Sequence, residues 1–106
     1  MENLKSQIIQ LAGEELERAN EEFPLFHSDH EGLGVLEEEI FEVDVEWECV
    51  KDMFDDFTIN VFKDEEIEKI IDIQNVKKYA INACAEMIQV IAMCDKFIIS
   101  RNERDE

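Results

Sequence analysis

Apolar residues recur at intervals of three and four over most of this chain, and that spacing limits it to helices. Leu4, Ile8, Leu11, Ala12, Leu16, Ala19 and Phe23 form the first row, which is the repeat of one face of an amphipathic helix. Pro24 disfavours helical geometry at the residue before it, so this helix runs from about residue 3 to residue 22. Phe23-Pro24-Leu25-Phe26-His27 is then a short apolar connector. Ser28-Asp29-His30-Glu31 follows with the pattern of a capping box, in which Ser28 accepts from the Glu31 amide and Glu31 reaches back.

The second helix is expected to reach about Phe54, with Leu36, Ile40, Val43, Trp47, Val50 and Phe54 as its apolar stripe. Residues 55–69 mix alternation with turn formers and read as a loop or insertion. A third helix begins near Asp64 and continues to about Ser100, with a break expected near residues 72–75. Its stripe is Val76, Ala80, Ala83, Met87, Val90, Ile91, Cys94 and Ile98. Residues 101–106 form a polar tail expected to fray.

The 106 residues make one domain with a single core. One Pro and three Gly leave little scope for a turn-rich β architecture, so the fold class is all-α. Helices of 20–25 residues are roughly 30–37 Å long, and three of them cover their own apolar faces poorly. The third is apolar over a wide arc, so a homo-oligomer, dimer or tetramer, is expected to complete the bundle.

Chemistry concentrates in Gly34–Glu48, GVLEEEIFEVDVEWE, where seven of fifteen residues are acidic and none is basic. On a helix, Glu38, Glu39, Glu42 and Glu46 share one arc beside the stripe, while Glu37, Asp44 and Glu48 lie on the other side. Two charges 4 Å apart at an effective dielectric of ~20 repel by about 4 kcal/mol. Such a column stays wet, takes up protons or binds a cation, and carboxylate oxygens suit hard ions such as Mg²⁺ and Mn²⁺. On the third helix Glu86 is the sole acidic residue between Tyr79 and Cys94. It is read either as a buried or edge-exposed ion-pair partner or as a ligand facing that column.

The net charge of −18 argues against direct binding to nucleic acid or an anionic membrane surface. It leaves open a basic partner, or an anion that arrives with a metal ion. Cys49, Cys84 and Cys94 are odd in number and lack a CxxC spacing, so they read as free, buried thiols in a reducing compartment. There is no secretory pattern and no uncharged run near the ~20 residues a membrane span needs. A cytoplasmic setting is expected. His27 and His30 read as capping and packing residues before a metal site, Trp47 as core before a base-stacking platform, and Lys96 and Arg101 as complements to the helix dipole before phosphate ligands.

Glu38-Glu39-x-x-Glu42 followed by Glu86-x-x-Gln89 resembles the EExxE…ExxD pattern of the MazG-like, all-α nucleotide pyrophosphohydrolases. His30-Glu31-Gly32 before the first motif, and the run Ala85 to Cys94 with Lys96-Phe97, look like short, phage-type members. The resemblance covers about residues 10–100. It implies a MazG-like helical bundle completed by oligomerisation, with Mg²⁺ (or Mn²⁺) held by Glu38, Glu39, Glu42 and Glu86. Glu38 and Glu39 would be catalytic, and Gln89 a weak ligand or substrate contact. The implied reaction is hydrolysis of a nucleoside triphosphate to pyrophosphate and a monophosphate. Gln89 stands where the family has Asp, and the gap between the two motifs is longer than the family's. The alternatives are a catalytically impaired relative that binds nucleotide or metal, and an acidic interaction protein.

Overall fold

A computed structural model describes residues 2–105, and all of its regular structure is helical: α1 (Glu2–Glu22), α2 (Asp29–Phe62) and α3 (Glu66–Asp105). The chain divides into two compact units. The first takes α1, the connector, α2 up to Ile40 and α3 from Glu86 onward; the second is Phe41–Ala85, the hairpin made by the rest of α2 and α3.

In the first unit Phe26, Ala92 and Met93 form a buried cluster packed by Leu16, Ala19, Val35, Leu36 and Phe97. A fully buried side chain of this size contributes about 1.5–3 kcal/mol. Gly32 is what lets α2 close on α3 there: a Cβ on it would stand 2.5 Å from Phe97 Cδ2 and 3.2 Å from Phe26 Cδ2. The connector is tied to the far end of α3. Ser100 Oγ accepts the Phe26 amide at 2.9 Å, and Lys96 Nζ donates to the Phe23 carbonyl at 2.9 Å while lying 4.9 Å from the Phe26 ring centre. Lys96 is only 4% exposed, so it serves neither phosphate nor the end of its own helix. Burial holds its pKa below the ordinary lysine value, against the opposing pull of Glu31. Arg104 bonds Asp29 at 2.6 Å.

The capping of α2 follows the sequence in one half: the Glu31 amide donates to Ser28 Oγ at 3.1 Å. The Glu31 carboxylate reaches past Ser28 and accepts the His27 amide at 3.4 Å.

The expected loop over 55–69 contracts to a turn at residues 63–65. Helix α2 runs on to Phe62, where the Glu65 amide bonds the Asn60 carbonyl at 3.0 Å and the Asp64 amide bonds Val61 at 3.1 Å. This is a Schellman stop, with Asp64 at φ 57° in the left-handed position that glycine usually fills. No glycine marked the turn, and Thr58 and Asn60 looked like breakers. Both are satisfied within the hairpin: Thr58 Oγ1 donates to the Phe54 carbonyl at 3.0 Å, and Asn60 donates to Asp72 at 2.7 Å. The break expected at residues 72–75 is absent for the same reason, since Asp72 is buried against that amide. The tail continues α3 through Asp105, and its last residue, Glu106, lies outside the described residues.

The expected stripes hold in part: Leu36, Val43 and Val50 of α2 and Val76, Ala80, Ala83, Val90 and Ile91 of α3 are buried or half-buried, and the rest are not. The inward seam of α2 includes Glu39, Glu46, Met53 and Asn60 at intervals of seven, whereas Ile40, Trp47 and Phe54 are exposed. On α3 the seam includes Asp72, Asn82, Glu86, Met93 and Ser100, and it is Met87, Cys94 and Ile98 that are exposed. Cys84 is exposed with Cys94, and Cys49 is half-buried, so the three free thiols are not core residues. The physical reason is pairing. Asn60 with Asp72, Glu46 with Asn82 and Ser100 with the Phe26 amide pair across 12 to 74 positions, which a stripe of hydrophobicity cannot register. Trp47, 51% exposed, lines an open groove of about 400 Å³ with Val50, Phe54 and Val76.

Candidate metal centre

The facing seams of α2 and α3 are polar at three levels. Within the second unit, Asn60 donates to Asp72 at 2.7 Å, and Asn82 donates to Glu46 at 3.3 Å. Each of these levels sets an amide against a carboxylate, so a donor meets an acceptor. Within the first unit the corresponding level sets two carboxylates together: Glu39 of α2 and Glu86 of α3 are both half-buried, with oxygens within 4.8 Å. Glu42, exposed, follows one turn after Glu39 in the sequence of α2 and belongs to the second unit.

At an effective dielectric of ~20, two full charges at that distance repel by about 3–4 kcal/mol. A cation is one group that lowers repulsion of this kind, and the donor set decides which cation fits. Carboxylates alone, without thiol or imidazole, match hard divalent ions and not the nitrogen and sulfur preference of structural zinc. The residues present therefore fit Mg²⁺ or Mn²⁺. Of the residues in the motif, Glu39 and Glu86 of the first unit are the pair brought together, whereas Glu38 is exposed and stands outside this group.

Gln89 lies one turn beyond Glu86 on α3, where residues three apart are neighbours. Its amide nitrogen donates to Glu15 Oε2 of α1 at 2.6 Å, and Arg18 holds the other Glu15 oxygen at 2.6 Å. Glu15 was not singled out by the sequence. Its only local signal is an acid three residues before a base, and Gln89 lies 74 positions away. His27 and His30 do not join the carboxylate group.

No protein-family model matches the chain, and no match was found among curated proteins or solved structures. No helix among the described residues is long and apolar enough to cross a membrane.

Proposed function

We propose that this chain is a MazG-like, divalent-metal-dependent nucleoside triphosphate pyrophosphohydrolase. One observation carries the reading: Glu39 and Glu86, which the motif resemblance pairs from opposite ends of the sequence, stand with their carboxylates within 4.8 Å on facing helices. A divalent ion held there would supply charge neutralisation for the triphosphate and a lowered pKa for a bound water. Glu39 and Glu86 are the holding carboxylates. Glu38, turned to solvent beside Glu39, is assigned to take the proton of the attacking water. That water forms a bond to the α-phosphorus, the bond to the bridging oxygen breaks, and pyrophosphate leaves a monophosphate behind. The chain's own acidity, −18, makes a metal-borne nucleotide the form of anion it can accept.

A homo-oligomer belongs to the same reading. In the second unit Val50 is the buried hydrophobic residue among those described, while Phe41, Trp47, Phe62 and Ile67 are exposed. A second copy would cover this surface. The nucleotide substrate and the three free thiols suit a cytoplasmic setting.

The test is pyrophosphate release by Glu39→Gln and Glu86→Gln. Each should lose at least about a hundredfold in rate with helix content by circular dichroism unchanged, and the active species should sediment as a dimer or larger. Full turnover in both variants would remove the site assignment, and an active monomer would remove the oligomer. The second reading, a protein that binds metal without turning nucleotide over, is favoured by the engagement of Gln89 with Glu15. Metal binding with no product would select it.

A further inference from the structure

Within the second unit, α3 carries a second stripe that its own hairpin leaves uncovered. Ile70, Ile73, Lys77 and Ile81 follow one another at intervals of three and four, the repeat of one helix face, and all four are exposed. Helix α2 presents Trp47, Phe54 and Val61 seven apart, also exposed. Trp47 and Phe54 share the open groove with Val76, the residue before Lys77.

The charge beside this groove changes sign from one helix to the other. From Phe41 to Phe62, α2 has seven acidic residues and one base, Lys51, which Glu48 holds at 2.7 Å. From Ile73 to Ala85, α3 has Lys77 and Lys78 and no acid. Lys78 lies 5.4 Å from the ring centre of its neighbour Tyr79. Asp55 lines the groove, and among the described residues neither Asp55 nor Lys77 is in an ion pair.

We propose that this face is an isologous interface, in which α2 of one copy lies across α3 of a second and Asp55 of each meets Lys77 of the other. The proposal rests on the oligomer reading above and names its surface. A two-fold axis makes every such contact twice, and two hairpins joined in this way form a four-helix arrangement. The area suffices. The six exposed apolar side chains leave roughly 500 Å² per copy, and a stable interface of about 800 Å² per partner is about 60% apolar. The mixed signs select the occupant. A basic segment of another protein would gain at Asp55 and lose at Lys77, whereas a second copy satisfies both. The −18 on each copy opposes association over long range, where salt screens it beyond ~8 Å, while charges in contact keep their attraction.

The experiment is sedimentation equilibrium of the full chain at physiological ionic strength, with helix content checked by circular dichroism. Trp47→Ala should weaken self-association by about thirtyfold or more, the scale of a central aromatic anchor. Lys77→Glu and Asp55→Lys should each weaken it by at least about tenfold, because each sets like charges together at two places. An equimolar mixture of those two variants is the decisive arm. Every Asp55–Lys77 contact in the mixed dimer again joins opposite charges, so the mixture should associate about as strongly as the unaltered protein. Mixing cannot repair a charge pair lost within one chain, so a mixture that stays monomeric overturns the proposal. If the unaltered protein self-associates and none of the three variants weakens it, the oligomer stands and this face is excluded. An unaltered protein that is monomeric at millimolar concentration removes the oligomer and the proposal together and leaves the face to a different occupant; pyrophosphate release tests the metal site separately.

Discussion

Gly32 shows how much one missing side chain can decide. Its hydrogen faces the Phe97 ring at a distance no methyl group can occupy, and Phe26 closes the other side. Alanine is the better helix former by up to about 1 kcal/mol, so propensity alone favours the substitution. Overpacking costs about 1–3 kcal/mol when the displaced group is a packed core ring. Gly32→Ala should therefore lower stability by about 1–2 kcal/mol in urea unfolding; a stabilised variant would show that the Phe97 ring yields freely. The sequence offered the glycine only as part of His30-Glu31-Gly32, without its reason. The Ser28 cap, by contrast, was readable, because both its atoms lie within four residues.

At the scale of elements, three helices followed from the apolar spacing, and which part of each long stripe turns inward did not. Ile40, Trp47 and Phe54 are seven apart and apolar, and the sequence places them on the α2 stripe with Leu36, Val43 and Val50; only the latter three face inward. Glu39, Glu46 and Asn60, also on a seven-residue spacing, face inward with them. The choice is made by Glu86, Asn82 and Asp72 on α3, residues no local window contains. The same cause hid the short turn: Asn60 reads as a breaker until Asp72 is opposite it. Among the candidate ligands, Glu39 and Glu86 were named from the motif, yet the level of two facing carboxylates is visible only once the seam is known. Asn82→Asp would build a second such level against Glu46. The folded state would then hold its proton above the ordinary carboxylate range, so the loss of stability is greatest at neutral pH and fades as the pH falls through that raised value. A loss of about 1–3 kcal/mol at pH 7 is expected, measured by thermal unfolding between pH 7 and pH 4. A deficit independent of pH would contradict the facing geometry.

For the whole molecule, charge and chemistry point the same way. A chain at −18 sets Glu39 beside Glu86 within a partly buried seam, where amides face carboxylates at two other levels. Cation binding gives that arrangement a use, and a metal-borne triphosphate is the substrate class proposed for it. The most direct measurement is pyrophosphate release from a panel of ribo- and deoxynucleoside triphosphates, with Mg²⁺ or Mn²⁺ and with chelator. The account predicts release from at least one nucleotide, abolished by chelator and restored by added metal. Release that persists in chelator, or none from any nucleotide with either metal, would contradict it.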